Sequence, residues 1–381
     1  MSYFDNNATT PVHPSVIEAL SRCCKEDWRN PSSPYRLASR TKAKLSYARE
    51  QWSELLKVNP ADVIFSSGAT ESNNWILASY AQNSPADATI LISTSEHSSV
   101  SEPANFWFKN RVEEIPNQTD GIVCIDSLIR RLEESRRPAL VCMIAASNES
   151  GIVQPWEKVA KLCQERNVPF HCDTTQWVGK LPLSDLHHCS SFTASAHKFG
   201  GPRGVGWLVD QNSTRLQFGG GQEGGRRAGT ENFPSIQAMA IAWEYCLSKS
   251  DDLEARSIWR DQMEMDLLDR IPGTKVIGGG NRRLWNTSFL LMPEFQNLDW
   301  VTGLEKIGFE VSTGSACSVF SDGSSPTART YSLNPMEVKR LVRVSSYLDH
   351  THEDWRELGD AFVQCYEKLL SNSKDSRVIS L

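Results

Sequence analysis

The chain has 381 residues, of which 39% are hydrophobic and 23% are charged, and its formal net charge is −6. This length favours two domains, or one large α/β domain with a smaller one beside it. The negative charge argues against a nucleic-acid-binding or membrane-binding surface, and the longest apolar runs, such as ALVCMIAA, are too short to span a bilayer.

The N-terminal segment MSYFDNNATT has neither a basic region nor an apolar stretch, so we expect no secretory signal. The ten cysteines form no CxxC pair and have no metal-ligand spacing. Most of them, such as Cys142, Cys163 and Cys246, stand in apolar or amphipathic surroundings, which are typical of small buried side chains. A reduced, cytoplasmic chain is the simplest prediction, and Cys317 is the one cysteine outside this pattern.

Short apolar runs alternate with longer amphipathic ones over the first half of the chain. The predicted strands are DVIFSS, TILIST, ALVCMIAAS, PFHCD and SSFTAS, and the predicted helices between them are TESNNWILASYAQ, a segment from Ser98, SLIRRLEESRR and PWEKVAKLCQERN. This alternation predicts an α/β fold with a mostly parallel sheet covered by helices on both faces. Ligands of such sheets bind at the carboxyl ends of the strands.

The pattern changes after about residue 232. Two long helices are predicted over 233–249 and 253–270, followed by strands in KVIGG, WNTSFLLM, FEVSTGSAC and LVRVSS, a helix near Asp299–Lys306 and a last helix from His352. This part of the chain predicts a smaller α+β domain. We expect a large domain over residues 15–250, and a small domain made of residues 1–14 and 251–381 that carries the Cys317 loop.

Polar residues follow each predicted strand of the first half. The turn FSSGATES would expose backbone N–H groups at a helix N-terminus, which suits a phosphate, although the motif taken alone favours an ordinary N-capped helix. His97 could stack on a flat ring or be a simple loop histidine. Asn148 follows the next strand, and Asp173 and Gln176 follow the one after it; a carboxylate at that position suits a pyridinium N–H.

The segment SAHKFGGPRG brings Lys198 to the end of a further strand, among glycines. A lysine in a glycine-lined cleft can form a Schiff base with a carbonyl compound, whereas the alternative is a charged surface turn. The five strand ends together offer a phosphate cradle, a ring-stacking histidine, a donor to a phenolic oxygen, a carboxylate and an amine. A phosphorylated pyridine aldehyde requires these five groups.

The chain resembles the cysteine desulfurases of the NifS/IscS type, within the class V aminotransferase-like family of pyridoxal-phosphate enzymes. The matching stretches are YFDNNATTPVHP, NPSS, GATESNN, EH, SNESG, DTTQ, SAHKFGGPRG, GGGQEGGRRAGTEN and GSACS, and they extend from residue 3 to about residue 345. The resemblance implies fold type I, which has a large domain with a mostly parallel sheet of the seven-stranded type and a smaller α+β domain.

The resemblance also implies a role for each matching residue. Lys198 would hold pyridoxal 5'-phosphate, Asp173 would pair with the ring nitrogen, Gln176 with the phenolic oxygen, and His97 would stack on the ring and take part in catalysis. The phosphate would be held by Ala69, Thr70, Ser195 and His197, and by Thr230 of the other subunit of a homodimer. Asn148 and Arg343 would bind the substrate carboxylate with Asn30 nearby, and Cys317 would be the nucleophile that accepts sulfur.

The implied reaction takes sulfur from L-cysteine, gives L-alanine and leaves a persulfide on Cys317 for a sulfur-acceptor protein. That acceptor could be an iron–sulfur scaffold or a thiolation or other sulfur-modification enzyme. A selenocysteine lyase, or a transaminase or epimerase of the same family, is the alternative, and a non-enzymatic binding protein on this fold is a third. The intact Lys198 and Asp173 argue against the third, and GSAC argues against a transaminase.

The loop around Cys317 contains an apolar pair, Val319 and Phe320, in otherwise polar surroundings. We expect this pair either to dock the loop on the protein surface and slow persulfide formation, or simply to fill a gap in the core.

Overall fold

The structure of the protein is a computed structural model that describes residues 1–211, 215, 217–314 and 326–378, with side chains up to residue 373. Cys317, Val319 and Phe320 therefore lie outside the described residues.

The strands are β1 (Ser2–Tyr3), β2 (Val63–Ser66), β3 (Ile90–Ser93), β4 (Val112–Ile115), β5 (Leu140–Ile144), β6 (Phe170–Asp173), β7 (Ser191–Ser195), β8 (Gly206–Asp210), β9 (Lys275–Val276), β10 (Thr287–Leu291), β11 (Phe309–Glu310) and β12 (Leu341–Ser345). The helices are α1 (Pro14–Glu26), α2 (Arg36–Leu56), α3 (Ala69–Asn83), α4 (Ser98–Phe108), α5 (Ile125–Glu133), α6 (Trp156–Glu165), α7 (Phe233–Ser248), α8 (Ser257–Arg270), α9 (Asn297–Glu305), α10 (Pro326–Thr330), α11 (Pro335–Val338) and α12 (His352–Val378).

The largest sheet has seven strands in the order β2-β8-β7-β6-β5-β3-β4. All its pairings are parallel except those of β8, which is antiparallel to both β2 and β7. Strands β2, β3, β5, β6, β7 and β8 are buried along their whole length because helices cover both faces. The predicted α/β fold with a mostly parallel sheet is confirmed.

Two strands of this sheet did not follow from the sequence. Strand β4 has the pattern VEEI and lies at the sheet edge, where it is only partly buried, so it lacks the continuous apolar run of its neighbours. Strand β8 follows a glycine-rich turn and returns antiparallel, which a strictly alternating βα pattern does not predict.

The C-terminal part of the chain forms a three-stranded antiparallel sheet in the order β12-β10-β9. The N-terminal β1 pairs in parallel with β11, so the first residues of the chain lie against residues 309–310. Of the predicted strand FEVSTGSAC, the structure describes residues 309–314, in which Phe309–Glu310 forms a strand and Ser312 makes a single bridge to Arg343.

Local chemistry explains where several helices begin. The His13 side chain accepts a hydrogen bond from Ser15 N at the start of α1, and Pro14 occupies the first turn. Asn232 caps α7 in the same way, and Asn334 with Glu337 forms a capping box at α11. No helix in the described part of the chain is both long enough and apolar enough to cross a bilayer.

Hydrophobic clusters fill the spaces between these layers. The largest lies around the seven-stranded sheet, with side chains of α2, α6 and α7, and it includes Trp52, Trp156 and Trp207. A second cluster is formed mainly by residues 263–365 and also contains Phe4. The N-terminal segment therefore starts in the second cluster and then continues toward the carboxyl ends of the large sheet.

Candidate active site

The carboxyl ends of β2, β3, β5, β6 and β7 lie at one edge of the large sheet, since these parallel strands and β2 all end there. Every polar group expected to follow a strand is therefore brought to this edge.

Lys198 ends a single 3₁₀ turn, Ala196–Lys198, that directly follows β7. Its Nζ donates hydrogen bonds to the backbone oxygens of Asn7 and Ala8, each at 2.7 Å. Gly200 is required beside it, because its φ is +87° and a Cβ there would lie 2.3 Å from Tyr347 Oη. The N-terminal segment is thus packed directly against the lysine that the sequence singles out.

Asp173 ends β6, the strand next to β7, and its side chain is only 3% exposed. Oδ2 accepts a hydrogen bond from Asn73 Nδ2 and Oδ1 accepts one from Thr175 N, both at 2.9 Å. Among the described residues, no cationic side chain forms an ion pair with it. A buried carboxylate that lacks a cation is a site for a positively charged ligand group.

Asn73 is held in one orientation from its other end. Its Oδ1 accepts a hydrogen bond from His171 Nε2 at 2.9 Å, while His171 Nδ1 pairs with Ser191 Oγ at 2.8 Å. Burial lowers the pKa of His171 to about 4, so this imidazole is neutral at physiological pH. The amide of Asn73 therefore directs its nitrogen at Asp173.

His97 caps the N-terminus of α4 and is fixed there by its ring. Nδ1 accepts a hydrogen bond from Ser99 N at 3.1 Å and lies 2.9 Å from Ser99 Oγ. The proton of the neutral ring is consequently on Nε2, and burial lowers the His97 pKa below its usual value. Ser99 Oγ also accepts a hydrogen bond from Asn73 Nδ2 at 2.9 Å, which links His97 to the Asp173 network.

Glu96 precedes His97 in the chain and is 3% exposed. Oε1 accepts hydrogen bonds from Ser93 Oγ at 2.6 Å and from Ile144 N at 2.7 Å, whereas Oε2 is buried with no partner among the described residues. Burial raises the pKa of this carboxyl to about 8, and the nearby charge of Asp173 adds to the effect. Glu96 is therefore mainly protonated at neutral pH.

The residues predicted to hold a phosphate lie around the start of α3. Gly68, with φ of +145°, occupies the N-cap position, and Ala69 N donates to Ser195 Oγ at 2.8 Å. Thr70 follows on the exposed side of the helix start. His197 Nδ1 lies 3.1 Å from Thr9 Oγ1, and burial, with the charge of Lys198, lowers its pKa to about 4.

Gln176 lies on the turn that follows β6. Its Nε2 donates to Asn7 O at 3.0 Å, and its Oε1 accepts a hydrogen bond from Lys180 Nζ. Asn7 was not among the expected site residues, although its carbonyl receives both Gln176 and Lys198.

Arg343, in the middle of β12, is 4% exposed and faces the same cleft from the other sheet. Nη2 forms an ion pair with Asp5 Oδ1 at 2.6 Å, and Nη1 donates to Asn148 O at 3.1 Å and to Gly314 O at 3.2 Å. The Nε donor is buried without a partner among the described residues. Arg343 and Asn148 are therefore neighbours, as expected.

Asn30 and Thr230 stand apart from this group. Asn30 is exposed, and its Oδ1 accepts a hydrogen bond from Ser32 N at 2.9 Å within its own turn. Thr230 is exposed as well, in a segment anchored by the ion pairs Arg49–Glu223 at 2.7 Å and Arg227–Glu71 at 2.8 Å. No described contact joins either residue to Lys198 or Asp173.

The sequence reasoning missed six residues that build the site from behind: Asn7, Asn73, Glu96, Ser99, His171 and Lys180. All but Lys180 stand in stretches that the sequence analysis names, but these six side chains act on other site residues and carry no motif of their own. A search of the described residues for clusters of His, Cys, Asp and Glu that could hold a metal ion finds none.

Comparison with known proteins gives a consistent result. Residues 2–358 match the model of the aminotransferase class-V family. Cysteine desulfurase IscS of Dictyoglomus turgidum is 33% identical over 377 residues, which is 96% of this chain and 95% of that protein. These similarities support the desulfurase prediction over the lyase and transaminase alternatives.

Solved structures agree with this assignment. A NifS-like protein superposes with a TM-score of 0.85 at 28% identity, covering 97% of this chain and 99% of that one. A structure described as SspA in complex with cysteine superposes with a TM-score of 0.77 at 26% identity, covering 91% of this chain and 98% of that one. The chain therefore belongs to the aminotransferase class-V family, among the pyridoxal-phosphate-dependent cysteine desulfurases.

Proposed function

We propose that the protein removes sulfur from L-cysteine at the strand-end cleft and transfers it to Cys317. The proposal rests on the positions of Lys198 and Asp173, which lie at the ends of adjacent strands. One supplies an amine, and the other supplies a buried carboxylate that has no cationic partner among the described residues. This arrangement fits pyridoxal 5'-phosphate, with the aldehyde end at Lys198 and the ring nitrogen at Asp173. When bound, the cofactor supplies an electron-withdrawing ring.

The chain's own groups then have separate tasks. Lys198 would hold the cofactor, and its amine would also move protons as a general acid and base. His97, with its proton on Nε2, covers the ring face and can donate that proton into the cleft. Gln176 donates to the phenolic oxygen through Nε2.

The phosphate end of the cofactor belongs at the start of α3. Ala69, Thr70, Ser195 and His197 are the proposed ligands, and what supports them is the contact of Ala69 N with Ser195 Oγ. A helix N-terminus stabilises this dianion through its free N–H groups. We infer that Thr230 of a second subunit completes the site, because Thr230 is exposed in this chain; the protein is then a homodimer.

Arg343 and Asn148 are the proposed binding residues for the substrate carboxylate, and Asn30 is kept as a further proposed substrate-binding residue. The sulfur atom leaves the β-carbon of cysteine and forms an S–S bond with the Cys317 thiolate. The electron pair of the broken C–S bond stays on carbon, which takes up a proton and gives alanine.

The other cysteines support Cys317 as the sulfur carrier. Burial raises the pKa of the Cys163 and Cys246 thiols to about 12, and it raises those of Cys142 and Cys172 well above the ordinary range. A buried thiol with a raised pKa is a poor nucleophile.

We further infer the setting of the reaction. The nine described cysteines are all unpaired, which supports a reducing, cytoplasmic location. The persulfide passes to a sulfur-acceptor protein, either an iron–sulfur scaffold or a sulfur-modification enzyme. We retain the division into a large cofactor-binding domain over residues 15–250 and a small domain made of residues 1–14 and 251–381, which the separate sheets and clusters support.

The test measures alanine and sulfide released from L-cysteine in the presence of a thiol reductant. We expect Cys317→Ser to abolish both products while leaving the cofactor absorption intact. Cys24→Ser and Cys124→Ser are matched controls, since these are the described cysteines that are not buried, and both should retain activity. Full activity in Cys317→Ser would contradict the proposal.

A further inference from the structure

Lys180 is a buried lysine for which the proposed reaction has no use. Its side chain is 4% exposed, and the described residues provide no carboxylate partner for it. Nζ donates instead to two neutral oxygens, Gln176 Oε1 and, at 3.0 Å, Asn7 Oδ1. Burying an amine among neutral acceptors costs stability, so this arrangement calls for a function.

The backbone around Lys180 is fixed from three sides. Lys180 N donates to Trp177 O at 3.0 Å, and Lys180 O accepts a hydrogen bond from the Trp285 indole Nε1 at 3.1 Å. Gly179, with φ of +81°, lies so close to Phe199 that a Cβ would be 2.4 Å from the Phe199 Cβ. The turn that carries both Gln176 and Lys180 is therefore packed directly against the residue after Lys198.

The nitrogen and the oxygen of the Gln176 side-chain amide have different partners. Its Nε2 shares the Asn7 carbonyl oxygen with Lys198 Nζ, at 3.0 Å and 2.7 Å, so the amide nitrogen lies on the Lys198 side. In pyridoxal the phenolic oxygen is on the carbon next to the one that bears the aldehyde. If the aldehyde is attached at Lys198, the phenolic oxygen would lie close to the attachment point, and Gln176 Nε2 is a side-chain donor next to Lys198 that would be available to it.

In the alternative orientation of the Gln176 amide, which is rotated by half a turn, the nitrogen and the oxygen exchange places. A lysine side chain donates hydrogen bonds whether or not it is charged. If Gln176 turned over, its NH₂ group would face Lys180 Nζ, donor against donor, and a buried donor would lose its acceptor. We propose that Lys180 is a positioning residue, which holds the Gln176 amide with its nitrogen toward the phenolic oxygen of the cofactor.

The surroundings favour a neutral amine in this role. Burial lowers the pKa of Lys180 well below its ordinary value, and the positive charges of Lys198 and Arg343 act in the same direction. An uncharged amine still donates to Gln176 Oε1, but its lone pair could also accept from the amide. In that state the orientation is held jointly by Lys180 and by Asn7 O, which accepts a hydrogen bond from Gln176 Nε2 at 3.0 Å and would face the amide oxygen if Gln176 turned over.

This inference rests on the proposed function, because it concerns the residue assigned to the phenolic oxygen. A hydrogen bond donated to that oxygen stabilises its deprotonated form. Loss of a correctly oriented Gln176 therefore raises the pH midpoint at which the visible absorption of the bound cofactor changes. One hydrogen bond corresponds to a shift of about half to one pH unit.

The experiment titrates the absorption spectrum of the holoenzyme with pH for four proteins: wild type, Lys180→Met, Gln176→Ala and the double variant. We expect Lys180→Met to raise the midpoint about as much as Gln176→Ala, and the double variant to show no further rise. Trp177→Phe is the matched control, since it removes the hydrogen bond to Pro182 O from the same turn without touching the amide, and its midpoint should equal that of wild type.

The other possible results contradict either the role of Lys180 or the proposed function. An unchanged midpoint in folded Lys180→Met, with a raised one in Gln176→Ala, overturns the role of Lys180 alone. The role of Lys180 is also overturned if Lys180→Met raises the midpoint by the same amount in the wild type and in Gln176→Ala, because Lys180 would then act independently of Gln176. A wild type that binds no pyridoxal phosphate, or an unchanged Gln176→Ala, counts against the proposed function itself.

A second variant covers the case in which Lys180→Met does not fold. Lys180→Gln supplies an NH₂ donor of its own, so its midpoint should stay near that of wild type. A rise equal to that of Gln176→Ala in folded Lys180→Gln would contradict the idea that a donor at this position is what holds the amide.

Discussion

Replacing Glu96 by glutamine should change how the stability of the protein depends on pH. Glu96 is protonated in the folded protein at neutral pH because burial raises its pKa to about 8. Glutamine has the shape of the protonated acid and can accept the same hydrogen bonds from Ser93 and Ile144. The variant therefore removes the titration and leaves the contacts.

The size of the effect follows from the two pKa values of Glu96. In the unfolded chain a glutamate has a pKa of about 4.3. Since the folded value is higher, the stabilising contribution of the group is complete below the unfolded pKa and is lost as the pH rises toward the folded pKa. From about pH 5 to about pH 8 the wild type should lose on the order of 4 kcal/mol of unfolding free energy through this group, a loss that Glu96→Gln avoids.

Equilibrium urea unfolding of the apoprotein, followed by tryptophan fluorescence at several pH values, measures this difference. The free energy of unfolding of Glu96→Gln minus that of wild type should grow steadily over the range and level off above about pH 9. Glu71→Gln is the control: hydrogen bonds from Arg227 and Ser67 lower the Glu71 pKa despite burial, so its difference should stay constant. A constant difference for Glu96→Gln as well would refute the reasoning.

Two further substitutions test the cleft. Arg343→Lys keeps one charge but loses the planar guanidinium, whose Nη1 contacts Asn148 O and Gly314 O and whose Nη2 contacts Asp5. The KM for cysteine should therefore rise about 10- to 100-fold, and an unchanged KM in steady-state kinetics would place the carboxylate site elsewhere. Gly68→Ala should weaken pyridoxal-phosphate binding to the apoprotein, because φ is +145° and the new Cβ would lie 3.1 Å from Ser195 Oγ. Gly204→Ala is the control for backbone strain, since its φ is also positive, at +76°, but no atom lies within 4 Å of the new Cβ. Equal affinity in the two variants would contradict this prediction.

The sequence predicted the strand-end groups because each stands directly after an apolar run. Asp173 and Lys198 could be identified as a pair without knowledge of any contact, since the ends of parallel strands meet at one edge of a sheet. The same rule could not predict β8. A buried antiparallel strand has the same apolar pattern as a buried parallel strand, so the pattern does not reveal the direction of β8.

The supporting residues could not be predicted for a different physical reason. Asn73 lies inside α3 and His171 inside β6, and as isolated polar residues in buried elements they carry no periodic signal. Their importance depends on a hydrogen bond of 2.9 Å between them, which joins positions 98 residues apart. Such a contact is fixed by the packing of helix on sheet and has no local signature.

The N-terminal segment connects the two sides of the cleft, and its contacts divide between backbone and side chain. Lys198 Nζ is received by the carbonyl oxygens of Asn7 and Ala8, so this contact depends on the path of the chain rather than on side-chain identity. The Asn7 side chain, in contrast, accepts from Lys180 Nζ at 3.0 Å and donates to Thr287 Oγ1 at 2.9 Å, while Asp5 pairs with Arg343. Because one short segment contacts both Lys198 and Arg343, any shift of this segment alters the surroundings of both side chains at once.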